Sequence, residues 1–368
     1  MLKVLYVPSL NKGVVYWRIE AYAQQMVKLK EDVAVNVEYF RDIIDINVAW
    51  DDAAIGKGKI SQKIQEKMKN AFKFFDVIIF QRIQNMPALA MINELRKEFP
   101  KTKIVAEIDD SVGEVSPSSP HKWGQHHRWS AEHLHMSDAV ICSTQYLADS
   151  IGFIIGDKPV HVAPNCINKS MWKIKKCKDK HKHVRIGYVG GGAHDEDLLI
   201  AYRAMLPILE KDNKVKFVIR YGGFRPKFLL EHPQIDFKSV AWEMDQYPQE
   251  LENMKLDLAL APLRDSEFNR CKSNLKWVEW SILNVPLLAS PVEPYIKTSG
   301  VIYITKDNTV QEWKSSLKEI IGELKINLRL NNEDHKGFPL KRQCINNQNM
   351  FKETRNVLKF LNNLVSSD

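Results

Sequence analysis

No apolar run in this 368-residue chain approaches the roughly 20 residues that a membrane-spanning helix needs. The longest, such as Asp76 to Phe80 and Val285 to Ser290, have the length of buried strands. Cysteine is scarce: Cys142, Cys166, Cys177, Cys271 and Cys344 are odd in number, scattered, and nowhere spaced C-x-x-C. That excludes a disulfide framework and a cysteine-rich zinc site, and it fits a reducing cytoplasm. The opening residues, Met1 to Pro8, carry one charge and no small-residue cleavage pattern, so they read as a first strand and secretion is not expected. Short-period repeats are missing, as are helix-turn-helix, zinc-finger and RNP sequences.

What the chain does have is enough apolar content, 44%, and enough length for two domains, each with its own core. The net charge of +8 raises the question of an anionic partner, and its location answers part of it. Residues 1–165 are balanced, residues 186–368 are balanced to within one charge, and the excess falls in 166–185. That lysine-rich stretch has no apolar period and reads as a solvated connector. A second basic run, Lys57, Lys59, Lys63, Lys67, Lys69 and Lys73, interleaves with Ile60, Ile64, Met68 and Phe72 at helical spacing. Such a face is either simply solvated or turned toward an anionic acceptor or membrane surface.

On either side of the connector, short apolar runs alternate with longer amphipathic stretches, the pattern of βα units around parallel sheets. Predicted strands in the first half are 2–7, 35–40, 76–80, 103–108, 139–142 and 160–163. In the second half they are 184–189, 215–221, 235–242, 257–261, 286–289 and 301–304. The predicted organisation is an N-terminal Rossmann-like domain over 1–167 with a returning helix from 346–368, a linker over 168–183, and a C-terminal Rossmann-like domain over 184–345. Ligands of open α/β sheets bind beyond the carboxyl ends of the strands, so two facing sheets define a cleft.

Two segments of the second half could hold an anion there. Gly190, Gly191 and Gly192 follow a strand and precede a helix, where bare backbone and free N–H groups suit a diphosphate. A dinucleotide fingerprint fails because Asp195 stands where its last glycine is needed. The D-x-D spacing of Asp195 and Asp197 is the ordinary acidic start of a helix, and no metal is expected. The second segment runs from Asp257 through Lys272, Ser273, Asn274, Lys276 and Glu279 to Ser290. With a helix starting near Lys272, the two lysines four apart would share a face beside an N-terminus. A structural glycine turn and a surface helix laced with salt bridges are the plain alternatives for these two segments. In the first half, Gly13 and Arg18 follow the first strand, and Asp109, Asp110 and the cluster His121 to Trp129, with His127, follow the fourth. A carboxylate or imidazole there could orient an acceptor hydroxyl.

The block 257–290, with its Phe-Asn, Lys-Ser, Leu-Lys, Glu, Val-Pro and final serine, resembles the donor-binding segment of retaining GT-B glycosyltransferases, family 4 and its relatives. Val105 to Asp110 is similar to an E-x-D-D segment of some acceptor domains. The resemblance implies two facing Rossmann-like domains and a nucleotide sugar, a UDP-sugar, held by the C-terminal one. It also implies metal-independent, retaining transfer to a hydroxyl, with no cofactor beyond the donor. By matching position, Glu279 is the second glutamate of the family's pair separated by seven residues and would bind the ribose; the first falls on Cys271. The usual Arg and Lys contacts to the diphosphate have no match in the glycine segment, which leaves that charge to Lys272 and Lys276. The expected site is therefore Asp110, His127 and Lys276 at the reacting centre, with Gly190, Gly191, Gly192, Lys272, Ser273, Asn274, Lys276 and Glu279 around the donor. Gly13, Arg18 and Asp109 are expected on the acceptor side.

Val7 to Arg18 is also similar to glycosyltransferases carried by bacteriophages, some of which modify hydroxymethylated DNA bases. The acceptor stays open between such DNA and a cell-surface glycan or lipid-linked saccharide. The expected location is the cytoplasm, that of the host if the chain is phage-encoded. A non-catalytic nucleic-acid-binding protein using the same basic stretches is the alternative of another class.

Overall fold

The computed structural model describes residues 1–8, 12–29, 32–37, 62–83, 86–113, 124–175, 182–241, 243–299, 303–329, 344–346 and 348–367. The N-terminal sheet is built from β1 (Leu2–Val7), β2 (Val33–Val37), β3 (Val77–Gln81), β4 (Lys103–Ile108), β5 (Ala139–Cys142) and β6 (Val160–Val162). All are parallel, in the order β2-β1-β3-β4-β5-β6. Val77 to Gln81 and Ala139 to Cys142 are buried at every position, as continuous apolar strands covered on both faces should be. One face carries α1 (Lys12–Val15), a π-helical turn over Tyr16–Glu20 and α2 (Ala21–Leu29). The other carries α3 (Gln62–Phe74), α4 (Met86–Glu98), α5 (Gly124–Met136), α6 (Gln145–Ser150) and α7 (Gly152–Ile155).

The C-terminal sheet consists of β7 (Val184–Gly191), β8 (Val215–Gly222), β9 (Ile235–Ser239), β10 (Leu258–Ala261), β11 (Leu287–Ala289) and β12 (Tyr303–Ile304). It too is all parallel, in the order β12-β11-β10-β7-β8-β9. Its helices are α8 (Asp195–Leu209), α9 (Tyr247–Asn253), α10 (Glu267–Arg270), α11 (Leu275–Ile282), α12 (Glu293–Ile296) and α13 (Val310–Arg329). The last helix, α14 (Met350–Ser366), buries Met350, Val357, Leu358 and Leu361 in the same core as β1 and α2, so the end of the chain returns to the first sheet. Every predicted strand is present; ends that fall on described residues shift by a few positions, while 38–40, 242 and 301–302 lie outside the described residues.

Two details position the site. The segment after β10 is tied down on both sides: Asp197 at the start of α8 accepts from the Arg264 backbone N–H at 2.7 Å and from Asn269 Nδ2 at 3.0 Å. On the other side Ser290, just past β11, accepts from the Leu263 N–H at 2.8 Å. Then α11 ends in a Schellman motif. The Asn284 N–H reaches the Ser281 carbonyl at 3.0 Å and the Val285 N–H reaches Trp280 at 2.9 Å, with Asn284 left-handed at φ 60°. Pro286 follows and turns the chain into β11.

Candidate active site

The carboxyl ends of both sheets meet in a seam of polar side chains. From the N-terminal half come Arg82 after β3, Asp109 and Asp110 after β4, and Asn165 after β6. From the C-terminal half comes the segment Lys272 to Glu279, between α10 and the body of α11. Contacts that cross the seam include the ion pair of Lys272 Nζ with Asp110 and the bond from Asn165 Nδ2 to Ser273 Oγ at 2.7 Å.

Behind Asn165 runs a buried relay. Gln81 Nε2 donates to Glu107 Oε2 at 2.8 Å, Arg18 Nε donates to Glu107 Oε1 at 2.6 Å, and Arg18 Nη1 donates to Asn165 Oδ1 at 3.2 Å and to the Ala163 carbonyl. Arg18 is only 3% exposed. The structure thus places it beneath the cleft, where it was expected to face it, because the buried Glu107 carboxylate draws the guanidinium inward.

Arg82 holds the other pair of carboxylates. Its guanidinium is ion-paired with both Asp109 and Asp110, and its backbone is left-handed at φ 48°, which costs a long side chain about 1–2 kcal/mol. The two acids are driven apart. For Asp110, burial alone would raise the pKa, but Arg82 and Lys272 outweigh it and hold the carboxyl well below the usual range. For Asp109, burial dominates over Arg82, and with the neighbouring Asp110 and Glu107 charges it pushes the carboxyl up to about 6. One ionised and one readily protonated carboxyl therefore stand side by side.

On the C-terminal side the two lysines part company. Lys272 precedes α11, because Asn274 occupies the N-cap and the helix begins at Leu275. The expected shared helix face does not form. Lys272 reaches across to Asp110, its ammonium 4.1 Å from the Phe268 ring centroid, while Lys276 Nζ donates to Glu279 Oε2 at 3.1 Å. Asn274 Nδ2 donates to Thr298 Oγ1 at 3.0 Å, so no side chain caps the start of α11. Glu279 is 1% exposed and accepts a second bond from the Tyr247 hydroxyl at 2.7 Å. Cys271 is fully buried against α6, its carbonyl accepting from Thr144 Oγ1 at 3.3 Å, and burial pushes its thiol up to about 11.

The glycine segment also differs from the expected loop. Gly190 and Gly191 are the last residues of β7, paired with Tyr221 and Gly222, and only Gly192 lies in the 3₁₀ turn that leads to α8. Gly13 lies within α1. His127 is on α5, and its side chain lies outside the described residues, as do His121, Lys57, Lys59 and the connector 176–181. Arg82, Asn165 and Tyr247 were not singled out in the sequence. A charged or polar residue at the end of a predicted strand marks the first two, and nothing in its amphipathic stretch marks Tyr247.

No protein-family model matches the chain, and no curated protein does. Solved structures match in fold along the whole length. The catalytic domain of starch synthase IV from Arabidopsis thaliana, bound to ADP and acarbose, has a TM-score of 0.66 at 10% identity, covering 100% of this chain and 99% of that one. A glycosyltransferase from Rickettsia africae has a TM-score of 0.65 at 9% identity, with coverage of 100% and 99%. HepE of Anabaena, in complex with UDP-glucose, has a TM-score of 0.64 at 11% identity, with coverage of 98% and 100%. The fold is GT-B. At such identities the likeness is one of architecture, and the chemistry rests on the side chains of the seam.

Proposed function

We propose that this GT-B chain is a glycosyltransferase that moves a sugar from a nucleotide-sugar donor, a UDP-sugar, to a hydroxyl acceptor, retaining the anomeric configuration and needing no metal. The observation that carries it is the seam itself: cations and polar groups after β10 meet carboxylates after β4, at the facing carboxyl ends of two parallel sheets. The task of such a site is to stabilise a departing diphosphate as positive charge develops on the sugar. Lys272, Lys276 and the uncapped backbone N–H groups at the start of α11 are suited to that anion. In this reading Gly190, Gly191, Gly192, Ser273 and Asn274 line the donor, and Glu279 takes the ribose. Asp110, His127 and Lys276 act at the reacting centre. Asp109 and Gly13 lie on the acceptor side, where Arg18 acts from below through Asn165.

For the acceptor we favour a hydroxymethylated base of phage DNA. Support comes from α3, whose Lys63, Lys67 and Lys73 are exposed while Ile64, Met68 and Phe72 are buried, leaving a basic face for phosphates. Among the described residues no helix is long and apolar enough to cross a membrane. The donor side is tested by thermal shift with nucleoside diphosphates. One bound specifically at about 100 times its dissociation constant adds about 2.7 kcal/mol, and indifference to all of them sinks the reading. Mass spectrometry of hydroxymethylated DNA and of glycan or lipid-linked saccharides, incubated with mixed nucleotide sugars, then separates the acceptors.

A further inference from the structure

Lys272 is the cation that this reading offers to the donor's diphosphate, yet it already has an anion. Asp110 reaches it from the opposite sheet, across 162 positions of sequence. Arg82 grips Asp110 from behind and keeps it on the N-terminal side, while the ring of Phe268 supports the Lys272 ammonium on the C-terminal side. Each partner is thus fixed to its own half by a second contact, and the pair can separate without either side chain losing its anchor.

We propose that Asp110 is a built-in competitor for the diphosphate. It occupies Lys272 until a nucleoside diphosphate displaces it, so it sets how much negative charge a ligand must bring to that cation. The inference rests on the donor reading above and adds a selectivity role to Asp110. Displacement leaves Asp110 with Arg82 alone and frees one carboxylate oxygen toward the cleft, so taking up the donor and exposing the carboxylate are one event. A group that only shaped the pocket would weaken nucleotide binding when altered; a competitor strengthens it.

The test is calorimetric titration of UDP into the wild type and Asp110→Asn at one ionic strength, with donor KM and kcat alongside. We expect the variant to bind UDP about twofold to fivefold more tightly, the range for losing a partly exposed ion pair. Donor KM should fall, and kcat should fall too because the carboxylate is gone. If the amide variant does not fold, Asp110→Ser serves for the same comparison. A folded variant that binds UDP as the wild type does, or more weakly, overturns the proposal while leaving the donor reading in place. A wild type that binds none of UDP, ADP, GDP or CDP overturns both.

Discussion

Glu279 is the side chain on which donor binding and stability are hardest to separate, because its buried carboxylate relies on two partners, Tyr247 and Lys276. Replacing Lys276 with alanine removes a cation from the proposed leaving-group site and one of those partners. Turnover should fall by two orders of magnitude or more, about 3–4 kcal/mol of transition-state stabilisation. Stability should fall by about 1–3 kcal/mol, too little to unfold a domain of ordinary stability. Steady-state rates beside a urea titration measure both, and a variant with wild-type turnover removes Lys276 from the chemistry. A second residue reports on pH. His133 is fully buried, neither ring nitrogen has a hydrogen-bond partner among the described residues, and burial pushes its imidazole down to about 3. Between that value and the ordinary 6.5 the unfolded chain binds a proton that the folded chain does not, so stability falls as the pH drops through this window. Asp109, raised to about 6, acts with the opposite sign: between 6 and 3.8 the folded chain holds the extra proton and gains stability on acidification. The two offset each other from about pH 6 to 4. Removing the imidazole in His133→Leu should therefore let stability rise relative to the wild type by about 2–3 kcal/mol over those two pH units. Urea midpoints at both pH values decide it, and a constant difference would mean that His133 is charged within the fold.

At the scale of the element, β7 shows why glycine was an ambiguous signal. A Cβ at Gly187 would lie 2.2 Å from Leu256 Cδ1 and 2.9 Å from its Cγ, and one at Gly190 would lie 2.2 Å from the Tyr188 hydroxyl and 2.5 Å from Cζ. Both glycines are thus demanded by packing, whatever the segment also does for a ligand. Gly187→Ala should cost about 1–3 kcal/mol through overpacking against a fully buried leucine. Adding Leu256→Ala should cancel that penalty, so the double variant is no less stable than Leu256→Ala alone; additive losses in a double-mutant cycle would refute this. The strands were legible because continuous apolar runs between turn signals can be read locally. The start of α11 was less so. The i, i+4 spacing of Lys272 and Lys276 suggests one face, but the helix begins only at Leu275, after Asn274, whose side chain is drawn to Thr298 instead, and Lys272 is drawn across to Asp110; a charge pattern worth only a few tenths of a kcal/mol does not extend the helix back to it.

The molecule as a whole has one feature whose packing partners only tertiary structure shows: its last helix lies in the core of its first sheet. The stripe on α14 said that a surface was needed, but the residues that provide one, Tyr22 and Met26 on α2 among them, lie more than 300 positions away in the chain. The pairings across the seam were illegible for the same reason, since Asp110 with Lys272 and Asn165 with Ser273 join segments that follow strands of different sheets. The return of α14 has a consequence for folding. Met350, Val357, Leu358 and Leu361 are buried there, and the His161 ring stacks on Phe360 at 5.2 Å. Four such side chains represent about 6–12 kcal/mol of burial, as much as the whole stability of a typical domain. A chain ending at residue 348 should therefore leave the amides of β1 and α2 open to rapid hydrogen exchange, while the core of β7, β8 and β10 stays protected. A peptide of residues 349–367 added in trans should restore protection to β1 and α2. Full protection in the truncated chain, without the peptide, would show that α14 rests on a core already complete without it.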